Sequence, residues 1–230
     1  MTALVMLTIF ADTPAVSEIV ERAVAVMDKK PAHMVCRLDT DIESFDGKGK
    51  PEDHVLVQIE ETRRGAQVDH KILHVWKNGK DETADATAKE EKQKRKREAK
   101  KKEEGEGEGD QELLLPFTKE AAAQYKFELV REETLWGHRT FVLKVTARQR
   151  KPNAGDGTAW IDAESFVMMK GVFVPAKLPD EHVDWLRFQT QYAVHTSGFV
   201  LPTLFKVEGA GHFLLMKKGF RSTLRWTDCK

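Results

Sequence analysis

The chain has 230 residues, of which 40% are hydrophobic and 32% charged. That suits one large β-rich domain and excludes a wholly disordered chain, a collagen-like rod and a multispanning membrane protein. The 37 basic and 37 acidic residues balance, but Lys89 to Glu104 alone carries nine Lys/Arg and five Asp/Glu, leaving 28 basic and 32 acidic residues elsewhere. A body so mildly acidic has no general attraction for nucleic acid, and no nucleic-acid partner is expected.

In chain order, Ala3 to Ala11 (ALVMLTIFA) comes first. It is an uncharged run of the length of a signal-peptide apolar core and far too short to span a bilayer. No Lys or Arg precedes it, and Thr13-Pro14-Ala15 is a poor cleavage site. The expectation is an incomplete export signal over residues 1–15 and a periplasmic or cell-envelope location. The alternative is the buried first element of a cytoplasmic protein. No cysteine follows the run closely enough for a lipid anchor.

Val16 to Lys29 reads as a helix, with Val16, Ile19, Val20, Ala23, Val24 and Met27 on one face and Glu18, Glu21 and Arg22 facing away. Pro31 stops it. From Met34 the period becomes two. Val55, Val57 and Ile59 share a strand face, and Ile72 to Trp76 leads to Asn78-Gly79, a hairpin turn. Thr83 to Asp110 then contains no aromatic residue. Its first half suits a solvated helix with Glu90 and Glu91 placed for Lys94 and Arg95, and its Gly105 to Asp110 tail suits a flexible tether. It reads as a charged insertion, 83–110, within one domain spanning 16–228.

A short helix is expected through Phe117 to Tyr125, followed by a meander. Phe127 to Arg131 turns at Trp136-Gly137 into Phe141 to Arg148, with Phe141, Leu143 and Val145 on one side. Thr158 to Asp162, containing Trp160, joins Phe166 to Lys170 by a tight turn. Trp185 to His195 sets Leu186, Phe188, Tyr192 and Val194 against polar neighbours. Phe199 to Glu208 (with Phe205), His212 to Lys217, and Phe220 to Thr227 (with Leu224 and Trp226) complete the run. Such spacing predicts a mainly β (α+β) fold, a curved antiparallel sheet or half-barrel. One helix cannot tile so large an apolar face, so an apolar cavity under a helical lid is expected. The eleven residues Phe141, Leu143, Val145, Trp160, Leu186, Phe188, Tyr192, Val194, Phe205, Leu224 and Trp226 are its candidate lining.

Several segments, in this order, resemble the LolA-like superfamily of bacterial envelope proteins, in particular its uncharacterised outer-membrane lipoprotein-sorting-like members. They are the Asn78-Gly79-Lys80 turn before a Lys/Glu-rich insertion, Leu129 to Arg139 (LVREETLWGHR), Thr158 to Asp162 (TAWID), Gly198 to Pro202 (GFVLP) and Leu224 to Asp228 (LRWTD). The resemblance covers roughly residues 16–228. It implies an eleven-stranded half-barrel closed by helices, holding acyl chains or another apolar ligand without catalysis or cofactor. It also implies a lipid or a lipidated protein as partner. The charged insertion and the incomplete leader depart from the well-studied carriers.

Other chemistry is thinly supported. His70 and His74 with Asp69 have a superficial metal-site spacing and would share a strand face, but an exposed polar face is the expected role. Asp39, Asp41 and Glu43 alternate as a divalent-ion site could, but a solvent-facing strand edge guarded by charge is the expected role. Cys36 near His33 is an unspecific nucleophile pair. Cys36 and Cys229 leave both a disulfide and two independent thiols open, the latter favoured because spacing gives no distance in space. There is no GxxxxGK[ST], GxGxxG or GxSxG, so no catalytic residue and no metal is expected. Lys94, Arg95, Lys96 and Arg97 are the candidates for an anionic surface and peripheral membrane contact, although the interleaved glutamates suit a solvated spacer. The functional expectation is a lipid, acyl-chain or lipoprotein carrier. The alternative is an interaction or sensor module on the same fold, with a side-chain-filled cavity and an envelope protein as partner.

Overall fold

The computed structural model describes residues 13–29, 31–65, 67–104, 116–213 and 216–230, with the backbone alone for 96–104 and 213. The apolar run Ala3–Ala11 and the Gly105–Asp110 tail lie outside the described residues. Helix α1 (Val16–Met27) buries Ile19 and Ala23 and packs Val20, Val24 and Met27 beside them, which is the face its sequence spacing predicts. No helix among the described residues is long and apolar enough to cross a membrane.

The strands are β1 (His33–Asp46), β2 (Pro51–Arg64), β3 (Gln67–Lys77) and β4 (Lys80–Asp81), followed by helix α2 (Thr83–Glu104). After a 3-10 turn at Ala122–Gln124 come β5 (Tyr125–Leu135), β6 (His138–Ala147), β7 (Gly155–Asp162) and β8 (Met168–Pro175). The run ends with β9 (Val183–Val194), β10 (Val200–Phe213) and β11 (Met216–Thr227). They form one eleven-stranded antiparallel sheet in the order β4-β3-β2-β1-β11-β10-β9-β8-β7-β6-β5. The sheet is open, with β4 and β5 at its edges. Only the β1–β11 pairing joins strands distant in sequence; every other pair is of consecutive strands, and the β4-to-β5 connection, which carries α2, leads from one edge of the sheet to the other.

The hairpin turns follow their chemistry. Asn78-Gly79 and Trp136-Gly137 both sit at positive φ, the geometry that matches the twist of two-residue hairpins. The β7–β8 turn is held by the Asp162 carboxylate, which accepts hydrogen bonds from the backbone of Glu164 and Ser165 and from the Ser165 hydroxyl. The helix expected over Phe117 to Tyr125 shortens to the single 3-10 turn. The separate strand expected at His212 to Lys217 does not form, because β10 runs unbroken to Phe213.

Register separates two faces. The inner face carries Val55, Val57 and Ile59 of β2, Leu38 of β1, Leu224 and Trp226 of β11, Phe205 and Val207 of β10 and Phe188 and Tyr192 of β9. It continues through Phe173, Ala159, Leu143 and Leu129 to β5. In a flat sheet β2 and β9, four strands apart, would be roughly 19 Å from each other. Instead the Arg63 charge on β2 acts on the Tyr192 hydroxyl on β9, so this face curves inward. The outer face carries cross-strand polar pairs: Asp39 with Gln58, Asp41 with His54, and Arg221 with Glu43 and Glu208. Asp39, Asp41 and Glu43 therefore face water as expected but not on a sheet edge, since β1 lies between β2 and β11.

Cys36 and Cys229 form a disulfide, correcting the favoured expectation of independent thiols. The β1–β11 pairing is what brings them together: Arg37 aligns with Thr227, and Val35 and Lys230 exchange backbone hydrogen bonds just beyond it. Cys36 is thereby also removed as a nucleophile.

Candidate functional site

The inner face is covered unequally. Over β5–β8, α1 and the segment around Phe117 and Ala121 seal a core containing Tyr125, Phe141, Leu143, Val145, Ile161 and Phe173. The Phe173 ring lies flat there because Gly157 and Gly171 leave no Cβ beneath it: a Cβ at Gly171 would stand 2.4 Å from the ring. Along β1 Met34, Cys36 and Leu38 are buried, but over most of the remaining face of β1, β2 and β9–β11 no such cover exists among the described residues. There Val57, Ile59, Phe188, Phe205, Val207 and Leu224 are only partly buried, and Phe220 is 40% exposed. Phe188 and Phe205 stack across β9–β10 with centroids 6.1 Å apart. Phe220 and Leu186 lean over Gly209, where a Cβ would meet both within 3 Å.

The eleven candidate lining residues thus divide. Leu186, Phe188, Phe205 and Leu224 stand on the uncovered inner face, with Tyr192 at its border against the α1-covered core. Val194 sits on the same side at the exposed end of β9, and Trp226 joins a second cluster with Met34, Cys36 and Leu201. Phe141, Leu143 and Val145 are fully buried under α1 and line no open surface. Trp160 must be reassigned: paired with Val142 and Lys170, it stands on the outer face. There its indole donates to Glu133 and its ring carries the Lys170 ammonium at 4.9 Å. The period of two explains this, since Ala159 and Ile161 take the inward positions.

His70 and His74 do not share a face. A bulge in β3 aligns Ile72 with Ile59 but His74 with Gln58, so one extra residue turns His74 outward, where it stacks on Trp76. No group of three metal-binding side chains occurs among the described residues.

His70 instead belongs to a polar cluster that sequence reading missed. Glu61, 3% exposed on the inner face, accepts hydrogen bonds from Arg63 Nε at 2.7 Å and Trp226 Nε1 at 3.2 Å, and its other oxygen lies 3.1 Å from His70 Nε2. Burial opposes ionisation of Glu61, but the hydrogen bonds from His70 and Arg63, with the Arg63 charge and Trp226, outweigh it and hold its pKa at about 2. The bond to Glu61 in turn raises the His70 pKa against burial. The signal was present in the sequence: in Val55, Val57, Ile59, Glu61, Arg63, two charges continue an apolar inward register.

Helix α2 runs beside β3 and starts with the Thr83 hydroxyl accepting from the Val75 backbone N–H at 3.0 Å. Glu90 lies close enough to act on His70, while Glu91 pairs with Arg95 at 3.9 Å. Lys94 and Arg95 are exposed, whereas the side chains of Lys96 and Arg97 lie outside the described set.

A cavity of about 300 Å³ occurs elsewhere, at the end of the sheet between the β1–β2 turn and β9–β11. Phe45 and Trp185 flank it over Ala210 and Gly219, and none of the eleven expected lining residues touches it.

No protein-family model matches the chain, and no curated protein matches it. Solved structures do. The chain is similar to a LolA superfamily protein from Nitrosomonas europaea, with 14% identity, 95% of this chain and 94% of that one covered, and a TM-score of 0.40. It is similar to a DUF1329 family protein from Desulfovibrio piger, with 10% identity, 95% and 93% covered, and a TM-score of 0.42. It is also similar to a chain of the Pseudomonas aeruginosa MucA/MucB complex, with 10% identity, 92% and 94% covered, and a TM-score of 0.28.

Proposed function

We propose that this is a non-enzymatic envelope protein that holds a lipid or acyl chain, free or borne by a lipoprotein, against the uncovered inner face of its open half-barrel. The carrying observation is the unequal cover: one continuous apolar face is sealed by α1 over β5–β8 and left partly open over β1, β2 and β9–β11. Soluble proteins rarely leave a contiguous apolar concavity open unless something occupies it. Each methylene withdrawn from water contributes about 0.8 kcal/mol, so one long chain supplies useful affinity with few polar contacts. The Cys36–Cys229 disulfide supports an oxidising compartment, because such bonds persist outside the reducing cytosol.

The test is a double substitution, Leu186→Glu with Phe188→Glu, both on partly buried inner-face positions. Binding of a fluorescent acyl probe should fall to background while the β-sheet circular dichroism spectrum is retained. A folded double variant with undiminished probe binding would mean that the chain does not lie on this face.

A further inference from the structure

We infer that the Glu61–Arg63–His70 cluster is a head-group site, and that the preferred ligand is an amphiphile whose acyl chain ends in one anionic group, a carboxylate or a phosphate. This rests on the acyl-chain reading above and specifies its polar end. Arg63 spends only its Nε on Glu61; its two terminal nitrogens make no hydrogen bond or ion pair among the described residues. The Arg63 side chain is 33% exposed and that of His70 46%, whereas the Glu61 side chain beneath them is 3% exposed. A buried counter-ion thus holds two donors in place, and their free edges present positive charge on the inner face. With His70 protonated, the three groups sum to +1.

The position fits the same ligand. Glu61 and Arg63 follow Val55, Val57 and Ile59 in one inward register on β2, and Trp226 ties the cluster to β11 beside Leu224. A chain laid along the apolar track therefore ends at a cation. The charged and titratable groups that act on the cluster among the described residues include Arg63 and Glu61 on β2, His70 on β3, Glu90 on α2 and Tyr192 on β9. Glu90 is exposed and displaceable, and burial keeps the Tyr192 phenol neutral, raising its pKa. Anions on guanidinium in a partly desolvated site form charge-assisted, bidentate hydrogen bonds that neutral heads cannot reproduce.

The experiment compares pyrene-labelled dodecanoic acid with its methyl ester, which replaces the anionic head by a neutral one at the cost of one methyl group, by fluorescence titration of the full chain at pH 6. The acid should bind about tenfold more tightly, as one charge-assisted contact allows. Arg63→Gln should erase that preference and leave ester binding within about twofold, Arg63→Lys should retain most of it, and the pyrene-labelled alkyl phosphate should rank with the acid. In the unmodified protein the preference should weaken as pH rises through the folded value of His70, which lies above 6.5, and in His70→Gln that weakening should be absent. Equal binding of acid and ester by the unmodified protein, or a preference that survives Arg63→Gln, overturns the head-group site while ester binding still supports the chain site. Failure of both probes to bind overturns both. The unmodified protein's acid-to-ester ratio decides the matter even if Arg63→Gln does not fold.

Discussion

Glu61 shows how one carboxylate can be more costly to disturb than the apolar residues around it. Its three donors make it a knot joining β2, β3 and β11, and removing it would leave Arg63 and His70 without their counter-ion. The pH dependence follows from the two shifts. Glu61 is depressed from 4.5 to about 2, so its contribution is present above pH 4.5 and is lost as pH falls towards 2. His70 is raised from 6.5, so its contribution is full below 6.5 and is lost as pH rises through its folded value. Stability contributed by the pair is therefore greatest between pH 4.5 and 6.5. Urea denaturation of the parent and of Glu61→Gln should differ most in that window. A difference that stays flat from pH 3 to 9 would show that the pair does not titrate as described. At the hairpin tip, Trp136 holds φ 51° with its side chain 56% exposed, a conformation that asparagine adopts with less strain. Trp136→Asn should raise stability by about 1 kcal/mol, read as a higher melting temperature.

Among the elements, the sequence made the alternating strands and α1 legible, because period-two and period-3.6 patterns each follow from burying one face. Three features were not legible, each for a physical reason. Gly209-Ala210-Gly211 resembles a turn, yet in β10 these small residues permit close approach: Phe220 and Leu186 over Gly209, and the His182 carbonyl against Gly211. The β3 bulge adds one residue that no periodicity announces, and it separates His70 from His74. The disulfide depends on the single long-range pairing, β1 with β11. That clasp closes a chain separation of 193 residues, so Cys36→Ser with Cys229→Ser should cost about 2–5 kcal/mol in denaturant unfolding. A loss below about 0.5 kcal/mol would show that the β1–β11 ladder suffices without it. Helix α2 alternates charge and interleaves glutamates with its lysines and arginines, the pattern of a solvated element. Reversing the charges of Lys94, Arg95, Lys96 and Arg97 should leave sedimentation with anionic vesicles unchanged at low salt. Loss of sedimentation on charge reversal would make α2 a membrane contact instead.

For the whole molecule, the consequence of an open eleven-stranded sheet with one covering helix is an apolar concavity only half filled from within. How much of it is open was not legible from the alternation of Phe141, Leu143 and Val145, which looks the same as that of Leu186 and Phe188. Which inward residues are sealed depends on where α1 docks, and it docks over β5 and its neighbours. Function therefore turns on whether the remaining concavity is occupied. The direct measurement is to purify the protein without detergent, extract it with organic solvent and quantify acyl lipid per mole by mass spectrometry. Near-stoichiometric lipid with an anionic head is the expected result. A folded protein that yields no lipid and takes up none from anionic vesicles would contradict it, and the inner face would then be a packed surface of an interaction module.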